Sequence, residues 1–150
     1  MQRSAIPFLI LGGVSVIAGG LLSAATALSP SYTASWAVAY IVLVAGVAQL
    51  VLGIGQAYLA PRQPSARVVA IEAIAFNLAH LAVLAGTLLT AAWIVDIGAA
   101  FIVVALALFI WSVRGTGTGN RWVLYAFRAM IVIVLVTTPI GLVIAHTKGA

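Results

Sequence analysis

The chain has 150 residues, of which 65% are hydrophobic and only 6% charged, with a formal net charge of +5. A soluble domain carries about 25% charged residues, so the composition excludes a water-soluble globule and points to an integral membrane protein that is one transmembrane domain over 1–150. The lack of cysteine excludes disulfides, thiolate-held zinc or iron–sulfur clusters and thioether-bound haem.

The first apolar run follows Arg3 and ends at Ser29-Pro30-Ser31. Ala25-Thr26-Ala27 resembles a signal-peptidase site, but the run exceeds the roughly 7 to 15 residues of a signal core, and a membrane helix over 5–28 is expected. A second helix is expected over 36–60, closed by Pro61-Arg62-Gln63-Pro64, where two prolines prevent continuation. From 67 to 113 the chain stays apolar. As one helix that stretch would measure about 70 Å, against a hydrocarbon core of about 30 Å, so it must turn once inside. The small polar step at Thr90-Ala91-Ala92 places the turn, giving helices over 67–89 and 93–113. Gly115-Thr116-Gly117-Thr118-Gly119-Asn120 then reads as a flexible connection rather than a phosphate loop, because no Gly-Lys-Ser/Thr follows it. A fifth helix is expected over 121–146.

The fold class is therefore an all-α bundle of five transmembrane helices. Arg3, Arg62, Arg67, Arg114 and Arg121 fall at one end of it and Lys148 at the other, which predicts a cytoplasmic N-terminus and an outside C-terminus. Aromatic residues are expected in two belts, Tyr32, Trp36, Tyr40 and Trp93 outside and Tyr58, Trp111, Trp122 and Tyr125 inside. Single arginines at helix ends report topology and do not form a nucleic-acid surface.

Small residues form two candidate seams. Gly12, Ser15, Gly19 and Ser23 line one face of the first helix, and Ala39, Gly46, Gly53 and Ala60 recur every seven residues in the second, with Gln49 and Gln56 on the same stripe. Such seams bring backbones together where lipid offers no hydrophobic drive. The first seam and Asp96 are candidate contacts to another subunit.

Intramembrane polar residues are costly unless paired. On the third helix Glu72, Asn77, His80 and Thr87 share about 140° of arc, so that face should look into protein. Matched depths predict a Glu72–Arg128 pair with Gln56 as neighbour; the alternative has Arg128 reaching back to the headgroups beside Tyr125. Gln49, Asn77 and His80, all near the midplane, are expected to form one hydrogen-bonded knot. Asp96 has no base at its depth unless His146 or Lys148 reaches back, and Pro139 after two threonines should bend the fifth helix.

No set of nucleophiles, acids or metal ligands converges, and His146 lies too far from His80 for a haem held by two histidines within the chain. No enzyme activity, cofactor or metal is expected. The sequence reads as a multi-pass plasma-membrane protein in contact with lipid and with other membrane subunits, an accessory or structural part of a larger complex such as a respiratory assembly. The alternative is a small homo-oligomeric transporter or channel with a polar path around Glu72, Asn77, His80 and Arg128.

Overall fold

A computed structural model describes residues 3–115 and 120–147. Five helices are long and apolar enough to cross a membrane. We label them α1 (Ile6–Thr26, entered through a 3-10 turn at Arg3–Ala5), α2 (Tyr32–Leu59), α3 (Ala66–Leu88), α4 (Ala92–Val113) and α5 (Arg121–Thr147). The glycine-rich connection at 116–119 and Lys148 lie outside the described residues.

The helix starts follow from local chemistry. Ser31 and Ser65 accept hydrogen bonds from the backbone N–H groups of Ala34 and Val68, and Asn120 accepts one from Trp122, so each side chain satisfies a donor that the helix leaves free. Because Ser31 caps α2, that helix begins four residues before the expected position. The turn expected near Thr90 is present. The Ala91 N–H donates to the Gly86 carbonyl and the Thr90 N–H to that of Thr87, the two bonds of a Schellman ending, with Thr90 at φ 54° where glycine is usual.

Neighbouring helices pack as two tight pairs, α1 with α2 and α3 with α4, and α5 closes the bundle against α2 and α4. Backbone proximity depends on missing side chains. A Cβ on Gly98 would lie 2.9 Å from both the Ala79 carbonyl oxygen and the Val83 nitrogen, and one on Gly12 would lie 3.0 Å from the Gly46 carbonyl oxygen. Four fully buried phenylalanines, Phe8, Phe76, Phe109 and Phe127, come from four different helices. Phe109 meets Phe8 at 5.2 Å and Phe76 at 6.2 Å between ring centres.

Three expectations are corrected here. Gly12 and Gly19 are buried against α2, through Leu50 and Val42, so these two glycines hold the chain's own first pair together rather than facing another subunit. Ser15 donates to the Leu11 carbonyl of its own helix, and only Ser23 lies fully exposed. The seven-residue seam of α2 is interrupted because Tyr40–Ala48 is π-helical. The wider turn changes the rotational phase, so Gly46 and Gly53 are buried while Ala39 is exposed.

Contact at Gly98 predicts that Gly98→Ala pushes α3 from α4 and costs about 1–3 kcal/mol. Gly20, where an added Cβ meets nothing within 4 Å, should tolerate Gly20→Ala with a gain of up to about 1 kcal/mol. Reversible unfolding in mixed micelles would measure both; equal effects would contradict the close packing of α3 on α4.

Candidate functional site

The chemistry-bearing side chains of the interior lie where α2, α3 and α4 meet. α2 contributes Gln49 and Gln56, seven residues apart and therefore within about 20° of one direction. α3 contributes Glu72 and His80. All four are buried, with Gln49, Gln56 and Glu72 at 0% exposure and His80 at 3%.

The Glu72 carboxylate is held from two sides. Gln56 Nε2 donates to Oε2 at 2.6 Å and Ser112 Oγ donates to Oε1 at 2.7 Å. Each carboxylate oxygen thus has a donor from a different helix, and one side chain ties α2, α3 and α4 together. Gln56 was expected beside Glu72, but Ser112 was not, because a serine on an apolar helix carries no pattern that distinguishes it from a packing residue.

Arg128 does not pair with Glu72. It is exposed on the outer surface of α5, and no partner for it occurs among the described residues. The depth match took account of axial position but not of rotation. Phe127 is buried against Gly55 of α2, which turns the next residue, 100° further round, out of the bundle.

The expected knot of Gln49, Asn77 and His80 is also replaced. Asn77 Nδ2 donates to the Ala73 carbonyl one turn back on its own helix, at 2.7 Å. His80 Nδ1 lies 2.8 Å from the Tyr40 hydroxyl, and its ring stands edge-on to Phe76 at 4.2 Å. Tyr40, placed in the outer aromatic belt by sequence, is turned inward at the first residue of the π-helical segment. Gln49 makes no hydrogen bond through either amide atom, and Gln56 Oε1 and His80 Nε2 are likewise without partners.

Heptad spacing explains the contrast between the two glutamines. One heptad from the Gln56–Glu72–Ser112 layer, the equivalent positions are Gln49, Ala79 and Ala105. Both alanines are fully buried. Where the first layer presents a carboxylate and a hydroxyl, the second presents two methyl groups, so the amide of Gln49 has nothing to bond. All three helices are cross-linked by hydrogen bonds at one level, whereas beyond it only the Tyr40–His80 bond links α2 to α3 and α4 is held by packing.

At the opposite end Asp96 finds a base within the chain. His146 Nε2 stands 3.5 Å from Asp96 Oδ2, with the side chains 55% and 49% exposed. The pair sits at the mouth of a shallow groove between α4 and α5, walled by Ala99, Ala100, Leu135 and Pro139. Thr137 and Thr138 donate to the carbonyls of Ile133 and Val134 one turn back, not to that of Leu135, which lacks an N–H donor at Pro139, and α5 continues through Pro139. Among the described residues no group of three histidine or acidic side chains is placed to hold a metal ion.

Comparison by sequence and by fold finds no matching family model, curated protein or solved structure.

The two glutamines should respond in opposite ways. Gln56→Leu leaves one Glu72 oxygen without its donor and should cost about 1–3 kcal/mol. Gln49→Leu removes two unpaired amide atoms and should be neutral or stabilising, and Ala105→Ser should stabilise by about 1 kcal/mol by giving Gln49 a hydroxyl. Unfolding in micelles reads all three; a loss at Gln49→Leu matching that at Gln56→Leu would show that Gln49 is partnered.

Proposed function

We propose that the protein is a multi-pass plasma-membrane protein with a cytoplasmic N-terminus, and that it serves as a non-catalytic accessory subunit docked on a larger membrane assembly. The observation that supports this reading most directly is the Asp96–His146 contact. A half-exposed acid and imidazole joining the outer ends of α4 and α5 give a neighbouring helix a polar contact to meet beside the groove. On the α4 side the groove beneath them is lined by Ala99 and Ala100, small enough to let such a helix approach closely, with the larger Leu135 and Leu142 of α5 as its other wall. The occupant we assign to it is a transmembrane helix of a partner subunit.

The interior favours the same reading over transport. A path from side to side requires polar groups in succession. Glu72 is committed to Gln56 and Ser112, His80 to Tyr40, and Arg128 lies outside the bundle. The four phenylalanines are fully buried in one apolar core.

Purification from native membranes in mild detergent should yield a stoichiometric companion. Ala100→Leu, which fills the groove from its exposed side, and Asp96→Asn should each lose that companion while thermal unfolding stays unchanged; Ile133→Leu, exposed on the far face of α5, should keep it. A wild-type protein that runs alone as a homo-oligomer and carries ions across liposomes would refute the subunit reading. Topology has its own test, because the chain has no cysteine. A membrane-impermeant maleimide applied to intact cells should label Ser29→Cys and spare Gln63→Cys, and the reverse pattern would invert the orientation.

A further inference from the structure

We propose that Arg121, Tyr125 and Arg128 form a binding site for the headgroup phosphate of an anionic phospholipid on the outer surface of α5. The proposal rests on reading the five helices as membrane crossings.

Three observations carry it. First, the residues stand at positions i, i+4 and i+7, which a regular helix places within about 60° of arc over about 10 Å of length. All three are exposed, whereas Phe127, Ile131 and Val134 on another face of the helix are buried. The stripe therefore points away from the bundle, toward lipid. Second, side chains on a helix lean toward its N-terminus. For α5 that is the Arg121 end, so all three side chains lean toward the same membrane face and offer donors along about 10 Å of one stripe. A guanidinium fork and a phenol are suited to bind a phosphate diester.

Third, the protein has no anion of its own to offer. It contains two acidic residues, and both are placed elsewhere. Glu72 is buried between Gln56 and Ser112, and Asp96 lies at the opposite end beside His146. An arginine two turns inside a membrane-spanning helix is costly unless its charge meets a counter-ion, and here the counter-ion must come from outside the chain. The bilayer's own phosphates lie at the level these side chains reach. Trp122, 79% exposed beside the stripe, adds an aromatic ring of the kind that settles among headgroups.

Trp122 also supplies the probe. In a full-length chain carrying Trp36→Phe, Trp93→Phe and Trp111→Phe, Trp122 reports alone, and its quenching by brominated phosphatidylglycerol or brominated phosphatidylcholine in reconstituted vesicles gives the relative affinity for each lipid. Phosphatidylglycerol should be preferred. The preference should fall roughly ten-fold or more in Arg121→Gln/Arg128→Gln, and should persist in Arg62→Gln/Arg67→Gln, which removes the same charge at the same end but off the stripe. Equal losses in both pairs, or no preference in the parent, would overturn the site in favour of diffuse attraction. Inorganic phosphate that abolishes the preference at constant ionic strength would show a free-anion site and overturn the lipid assignment. If neither brominated lipid quenches Trp122, the membrane reading itself falls, an outcome distinct from quenching without preference.

Discussion

The carboxylate of Glu72 is the constraint on which the bundle's arrangement depends. A helix in hydrocarbon gains little by burying an apolar face, because lipid tails are as apolar as leucine, so association relies on close packing and on polar contacts. Packing alone tolerates small slides along a helix axis. A buried carboxylate with one donor on each oxygen does not, because a slip of one residue separates Gln56 and Ser112 from Glu72 and leaves a fully buried acid without partners. The three helices are thereby held in one register, and the apolar contacts of Phe76 and Phe109 nearby are made in that register.

The same register accounts for the chain's small residues. With α3 and α4 fixed by Glu72 and Ser112, Gly98 falls opposite the backbone of Ala79 and Val83, where any side chain would separate the helices. In α1 and α2 the reciprocal approach of Gly12 and Gly46 does the equivalent without a polar anchor. Ser4, whose hydroxyl donates to Gln63 Oε1 at 2.6 Å in the loop after α2, closes the same pair at its other end, while Phe8 lying against Phe109 and the bonds of Gln56 and Tyr40 join the pair to the rest. One pair of helices is thus pinned by a hydrogen-bonded acid side chain and the other by backbone proximity.

Helix number and helix ends were legible in the sequence because their causes are local. Prolines at 61 and 64 and a stretch too long for one crossing define where helices stop, whatever surrounds them; the start of α2 is the exception, because the Ser31 cap sets it four residues before the expected position. Rotational phase was not legible, because it is decided by partners distant in the chain. Arg128 and Glu72 matched in depth, yet the burial of Phe127 against Gly55 turned the arginine outward. The inward turn of Tyr40 had no signal either: its position at the head of a π-helical segment reflects how α2 fits against its neighbours, and nothing in the local composition announces it. The Gln56–Glu72 bond lay between these cases. Both residues were recognisable as intramembrane polar groups, and only the third member, Ser112, came from a helix that gave no reason to look.

Lipid and protein neighbours are expected at different levels of one edge of α5. Arg128 and Pro139 are eleven residues apart, so a regular helix places them within about 20° of the same line, separated by about 16 Å. At the Arg128 level the edge offers cationic donors and suits a phosphate; at the Pro139 level it is a wall of the α4–α5 groove beneath Asp96 and His146, and suits a helix. Inner polar groups of the bundle are engaged with one another or enclosed, whereas this edge presents charge outward at both ends. On these two proposals α4 and α5 offer both a lipid and a protein neighbour something beyond apolar packing, while the glycine seam of α1 and α2 is used inside the chain.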